Sequence, residues 1–516
     1  MFITAVFYLL TMHLLDGKSL TLEQLVRIAD AQIDVGLAPT ASAAVDRSRL
    51  VVDRKAQGDT AVYGVNTGFG ALAETAIARE SLGALQLNLL RSHAAGVGEP
   101  LSPRAVRASM ALRANVLAKG FSGIRRETLE LLLELLNRRV HPVVPSRGSV
   151  GASGDLAPLA HLALVLVGEG FASVDAGPVQ PGAAALTAAG LRPIVLQPKE
   201  GLALINGTQP STAIAALACA SAERLARAAD ITAALSIDGL RGSMAPFDRR
   251  IHEARPHHGQ AIAAANLLML LDGSPINKSH EGCGRVQDAY SLRCAPQVHG
   301  AARDALAFIR STLSIEANSA TDNPMVFGDA DDIVSGGNFH GAPIAIAADL
   351  LAIAVTQFAT ISERRSDRLV NPALSGLQAF LTRDSGLQSG YMIAQVTAAA
   401  LASELKTLAH PASVDTIPTS ANKEDHVSMS MGAALKADRA IALAARVIAV
   451  EVLCACQAID LLAPLQTSPL LQRVHATLRS RVPTLVHDRP PAPDIEQIAA
   501  MIADATLESS CGGEVK

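Results

Sequence analysis

What this chain lacks narrows its chemistry first. Its six cysteines, Cys219, Cys283, Cys294, Cys454, Cys456 and Cys511, form no CxxC pair and no spacing of a zinc site or a disulfide framework. That points to a reducing cytoplasm and to no metal site. Neither sign of charge dominates: 44 lysines and arginines face 48 acids, a net charge of -4 at pH 7. No long run of one sign is available to track a phosphate backbone or an anionic lipid surface. The expected partner is therefore a small neutral or zwitterionic molecule, not nucleic acid and not a membrane. The leading MFITAVFYLL is well short of a membrane span. It resembles a short signal segment, but it lacks a basic flank and no small-residue cleavage site follows near His13. Residues 1–13 read as a disordered or mis-assigned extension, with Met12 just ahead of the first patterned sequence.

The common catalytic signatures are missing too. There is no P-loop and no G-x-G-x-x-G after a strand, which removes the two commonest phosphate cradles. GASGD (151–155) misses the G-x-S-x-G nucleophile elbow at its last place, and the residues before it, HPVVPSRGSV, are no elbow strand. His252 and Glu253 begin an H-E-x-x-H, but Pro256 stands fifth and His257 is displaced by one residue, so the two imidazoles cannot share a helical face.

What is present is a chain of 516 residues, 49% hydrophobic, enough for a large core and two to four domains. Residues 81–139 have apolar positions at helical spacing broken by glycine turns. Residues 168–200 are rich in Gly, Pro and Val and read as loop with a hairpin, the most strand-like stretch. Beyond Asn206 the pattern becomes long alanine-rich helices at 208–235, 300–317, 342–365, 390–410 and 427–462, apolar around much of their circumference and so buried. Asp349, Glu404, Arg446 and Glu451 interrupt them where a bilayer would penalise charge. A bundle core shared between subunits satisfies the same pattern, so a homo-oligomer is expected. The fold class is mainly α: a smaller, mostly helical N-terminal domain at 14–205, then a long-helix bundle and C-terminal helical part at 206–516. The unusual polar clusters fall in loops between the long helices, at 282–300, 320–327 (ATDNPMVF), 335–341 and 418–429.

GSVGASGDLAPLAH (148–161) sets Ser153 in a flexible bend with no base beside it. By composition this is a helix-capping turn, with Asp155 capping a helix that accommodates Pro158 in its first turn. A second reading is chemical. If the bend is compressed, the nitrogen of Gly154, unhindered by a β-carbon, can approach the carbonyl carbon of Ala152. Ring closure with loss of two waters, one involving the Ser153 hydroxyl, would create a methylidene-imidazolone.

AVYGVNTGFG, SHAAGVGEP, GSVGASGDLAPLAH, EGLALINGTQ, VQDAYSLRCAPQVHG, SGGNFH and TSANKEDHVSM occur in order across roughly residues 20–496. Together they resemble the histidine ammonia-lyases of the aromatic amino acid ammonia-lyase family. The resemblance implies a fumarase/aspartase-like helical fold, a homotetramer whose active sites are each built from three subunits, and conversion of L-histidine to trans-urocanate and ammonia. It implies a 4-methylidene-imidazol-5-one, closed autocatalytically from Ala152, Ser153 and Gly154, and no external cofactor.

It also implies roles. Tyr63 is the expected acceptor of the β-proton, which requires a depressed phenol pKa, and Glu424 is the partner of the substrate ring or an alternative base. Tyr290 helps position the electrophile or shuttles a proton. Arg293 clamps the substrate carboxylate, with Gln287 on the same loop. Asn206 donates to the electrophile, His93 lies near the substrate imidazole, and Phe339 and Met392 line the pocket. His93 and Glu424 favour histidine over the tyrosine or phenylalanine ammonia-lyases and 2,3-aminomutases of the same family, because phenylalanine enzymes resemble one another in carrying glutamine where Glu424 stands. Each of these residues taken singly reads as ordinary core or solvated loop.

Overall fold

The computed structural model describes residues 12–58, 60–284 and 286–516. Of the 1–13 extension, residues 1–11 lie outside the described residues. Met12 and His13 do not belong to a disordered stretch: they open the strand Met12–Leu15, which pairs in parallel with Asp34–Leu37 in the register Met12 to Asp34. The backbone pairing and the burial of Leu15 hold this strand in place.

All five long helices expected from the alanine-rich sequence are present, as Gln209–Gly239, Ala295–Glu316, Ala342–Val370, Met392–Leu408 and Ser430–Leu461. Where the ends differ, the reason is local. The second begins five residues before Gly300, because Pro296 is tolerated in a first turn and Gly300 serves inside the helix. A β-carbon at Gly300 would stand 2.3 Å from the nitrogen of Gln260, and one at Gly259 would stand 2.3 Å from the Gly300 carbonyl oxygen. The two glycines let the helix His258–Leu271 approach closely. The last helix starts later than expected because Met429 is left-handed, with φ +60°. The strand-like stretch contains the expected hairpin: Phe171–Val174 pairs antiparallel with Gln180–Pro181, and Val140–Pro142 completes a three-stranded sheet.

Two compact units form, and they do not follow a cut at 205/206. One comprises the residues up to Leu217 with Arg310–Ala348 and Ala412–Leu435; the other comprises Ala218–Ile309, Asp349–Pro411 and Lys436–Lys516. The polar clusters at 320–327, 335–341 and 418–429 belong to the unit of the N-terminal part, and the cluster at 282–300 belongs to the other. Ala342–Val370 and Ser430–Leu461 are long and apolar enough to cross a membrane, but most of each apolar stretch is buried inside the protein. Their charges are paired there: Asp349 meets Lys436 at 2.9 Å, and Glu451 accepts from Ser236 at 2.5 Å and from the fully buried Arg365 guanidinium.

Candidate active site

The bend around Ser153 begins where the strand Pro145–Arg147 ends. Gly148, Gly151 and Gly154 have φ of +141°, +67° and +75°. A β-carbon at Gly151 would stand 2.2 Å from Ser428 Oγ, and one at Gly154 would stand 2.2 Å from the Gly207 carbonyl oxygen, so both places admit only glycine. The bend is fastened on two sides. Met429 N–H donates to the Val150 carbonyl at 2.8 Å and Ser428 Oγ to the Gly151 carbonyl at 2.9 Å, while Asp155 N–H donates to the Gly207 carbonyl at 2.8 Å.

Asp155 stands at the start of the helix Leu156–Leu166, but its side chain does not cap that helix. Its carboxylate accepts from Ser149 Oγ at 2.7 Å, inside the bend, and from Ser211 N–H at 2.8 Å, in the first turn of Gln209–Gly239. Burial pushes its pKa up, opposed by those bonds. The acid therefore ties the bend to a second helix rather than to its own.

Tyr63, His93, Ala152, Ser153, Asn206, Phe339 and Glu424 line one cavity of about 910 Å³. Ser153 Oγ donates to Glu424 Oε1 at 2.7 Å, and Thr419 Oγ1 donates to the other carboxylate oxygen at 2.6 Å. Thr419 and Glu424 also exchange backbone hydrogen bonds, which fixes the base of the glutamate. His93 ends the helix Leu82–His93, and its Nδ1 lies 2.9 Å from the Leu89 carbonyl. A carbonyl oxygen only accepts, so Nδ1 carries the proton and Nε2 keeps its lone pair. Burial lowers the His93 pKa, with Glu424 opposing, which keeps the ring neutral.

Tyr63 Oη accepts from Gly70 N–H at 3.3 Å, and its ring meets Phe69 edge-on at 6.4 Å. Its pKa is raised, first by burial and then by Glu424 and Asp322, opposite to the depression that a neutral-pH base requires. Only the Gly70 hydrogen bond acts to lower it. Asn206 donates to the Asn323 carbonyl at 2.7 Å and to Asp322 Oδ1 at 3.3 Å, so its amide hydrogens point away from the role expected for them. Its Oδ1 is buried without a hydrogen bond.

Behind Asn206 lies a buried group that sequence reading missed. Asp322 pairs with Lys199 at 3.1 Å, and Arg113 donates to the Asn206 carbonyl at 2.8 Å. Burial lowers Lys199, and it lowers Arg113 to about 10. Asp322 and Asn323 sit in ATDNPMVF, a cluster noted for its polarity but given no role, and Thr419 and Ser428 sit in the stretch that supplied Glu424. Lys199 and Arg113 carried no sequence signal, because an isolated cation in an apolar stretch looks the same whether buried or exposed.

Gln287, Tyr290, Arg293 and Met392 are not brought to this cavity; they belong to the other unit. Gln287 is exposed and Tyr290 is 71% exposed. Tyr290 and Arg293 share the short helix Tyr290–Arg293, with the guanidinium 4.6 Å from the tyrosine ring centroid. Met392 is the first residue of its helix.

A family model for aromatic amino acid lyases matches residues 20–480. The chain is 56% identical over 503 residues to a histidine ammonia-lyase of Anaeromyxobacter dehalogenans (strain 2CP-C), covering 96% of this chain and 99% of that protein. Its fold is similar to the crystal structure of histidine ammonia-lyase from Trypanosoma cruzi, with a TM-score of 0.91, 44% identity and 98% and 96% of the two chains covered. It is also similar to the tyrosine aminomutase of Streptomyces globisporus, with a TM-score of 0.92, 39% identity and 97% and 98% covered.

Proposed function

Because the chain belongs to the aromatic amino acid lyase family, with its helical fumarase/aspartase-like fold, we propose that it eliminates ammonia from L-histidine to give trans-urocanate, the first step of histidine breakdown. The observation that carries this reading is the meeting of the 152–154 bend, Tyr63, His93 and Glu424 in one cavity. Relatives that carry the histidine name are also more similar to the chain than the aminomutase is.

The reaction is redox-neutral. A Cβ–H bond and the Cα–N bond break, a C=C bond forms, the proton passes to a base and the electron pair of the C–N bond leaves with the amine. The residues at 152–154 fit an internal electrophile: the bend has positive φ at Gly151 and Gly154, and no β-carbon hinders the Gly154 nitrogen. A methylidene-imidazolone closed from Ala152, Ser153 and Gly154 would supply an electron sink there, with no external cofactor.

The remaining work falls to side chains. Tyr63 takes the β-proton as phenolate. Glu424 and neutral His93 hold the substrate ring as imidazolium, each accepting from one of its two N–H groups, His93 through the Nε2 lone pair. Asn206, with its buried Oδ1 unpaired, accepts a hydrogen bond from substrate instead of donating to the electrophile.

The functional unit is a homotetramer whose neighbouring subunits bring Gln287, Tyr290, Arg293 and Met392 to this cavity. Exposed apolar side chains on long helices support this: Ile346 and Ile353, 57% and 36% exposed, lie two turns apart on Ala342–Val370, and Ile393 and Val396 are exposed on Met392–Leu408. Cys454, Cys456 and Cys511 are buried and form no disulfide, which supports a cytoplasmic location.

The purified protein is tested with L-histidine, L-tyrosine and L-phenylalanine by near-ultraviolet absorbance. Urocanate from histidine is the expected result. Silence with histidine and coumarate from tyrosine would replace the substrate, and β-tyrosine would make the enzyme an aminomutase. Ser153→Ala should abolish turnover with oligomer size unchanged, and retained turnover would remove the electrophile from the site.

A further inference from the structure

We propose that Lys423 is a second binding residue for the substrate carboxylate, supplied by the same chain as Glu424; this deepens the histidine ammonia-lyase reading and rests on it. Among the described residues that line the cavity, Lys423 is the only lysine or arginine. Glu424 and Asp425 beside it are acids, and three imidazoles, His93, His340 and His426, and the Tyr63 phenol complete the ionisable set. His93 is held neutral by burial. His340 Nε2 lies 3.1 Å from the His426 carbonyl and so is its N–H donor, with the two rings parallel at 5.9 Å. Lys423 therefore supplies the one ammonium among the described residues that line the cavity.

The backbone that presents it is unusual. Ser420, Ala421 and Asn422 are consecutive non-glycine residues in the left-handed region, with φ of +51°, +53° and +64°. Each such residue costs on the order of 1 kcal/mol. The turn is closed by Lys423 N–H to the Ser420 carbonyl at 3.1 Å and by the Thr419 to Glu424 pairing. It carries Lys423 and Glu424, neighbours in sequence, to the same cavity. It also meets the segment of the Tyr63 loop around Gly70, where a β-carbon would stand 3.0 Å from Ser420 Oγ. Lys423 thus lines the same cavity as the ring acceptor Glu424 and the Tyr63 loop. An ammonium on a flexible stem offers three donors to either carboxylate oxygen. Arg293 lies in the other unit and does not line this cavity, so a neighbouring subunit's arginine and Lys423 would hold the carboxylate together.

The test compares ligands with and without that group. In Lys423→Gln, KM for L-histidine should rise about tenfold, the loss expected for one charge-assisted hydrogen bond, while competitive inhibition by histamine, which lacks the carboxylate, stays at the wild-type level. Lys423→Arg should recover most of the difference, and gel filtration should give the wild-type size. An unchanged KM in Lys423→Gln overturns the proposal. So does an equal weakening of histidine and histamine, which would make the lysine a shaper of the pocket. If the wild type is silent with histidine, the functional reading falls separately, and the same comparison of L-tyrosine against tyramine decides the lysine.

Discussion

At the residue scale, the roles proposed for Tyr63 and His93 predict a pH dependence. Burial, Glu424 and Asp322 raise the Tyr63 phenol above its ordinary value, so phenolate is scarce at neutral pH and grows as pH rises. Turnover should therefore climb from pH 7 towards 9, and a flat profile over that range would remove Tyr63 as the base. Tyr63→Phe should cost at least about 100-fold in kcat, measured as urocanate formation under saturating histidine. His93 behaves oppositely. Its folded pKa lies below that of the unfolded chain, so the folded state binds this proton more weakly. Its contribution to stability is intact above about pH 6.5 and is lost as pH falls below that value. Loss of the Nε2 lone pair should raise KM for histidine over the same acid window, with a much smaller change in His93→Gln.

At the scale of elements, the site depends on glycines whose neighbours leave no space. Gly207 is the receiving side of the bend: its carbonyl accepts from Asp155 N–H, and a β-carbon there would stand 2.6 Å from Arg113 Nη1 and 2.8 Å from the Thr321 carbonyl oxygen. Gly207→Ala should destabilise by roughly 1–3 kcal/mol, read as a lower thermal midpoint. Its activity loss should exceed what the lost stability explains, because Asp155 and Gly154 move with it. A variant with wild-type stability and activity would show that the contact relaxes without consequence.

At the scale of the whole molecule, buried charge holds the helices in register. Asp230 is fully buried in a helix of the bundle and accepts from His299 Nδ1 at 2.6 Å, from Arg303 at 2.5 Å and from Asn266 at 2.8 Å; Asn266 also binds the carbonyl of Lys516 at 3.0 Å. Asp230→Ala takes the carboxylate from the partly buried Arg303 cation and the acceptor from His299 Nδ1, and should cost about 3–5 kcal/mol, measured by chemical denaturation. The exposed Ile346 and Ile353 make the opposite prediction. Ile346→Asp with Ile353→Asp should leave the helix folded by circular dichroism but yield smaller, inactive assemblies in gel filtration. A full-size active enzyme would place the subunit contact elsewhere.

The long helices and the cavity residues Tyr63, His93, Ser153 and Glu424 were legible in the chain itself. Alanine density at helical spacing is a local property, and motif residues keep their identity whatever surrounds them. The sequence also contained the three glycines of the bend, but not the obstacles at Gly207 and Ser428 that demand them. Tertiary structure alone decided that Asp155 serves a second helix, that Asn206 is committed to Asp322 and Asn323, and that Lys199 and Arg113 lie buried behind the site. It also turned the Tyr63 pKa upward, against expectation. These outcomes depend on distances between residues far apart in the chain and on exclusion of water. No spacing along a sequence encodes the electrostatic environment that such packing creates.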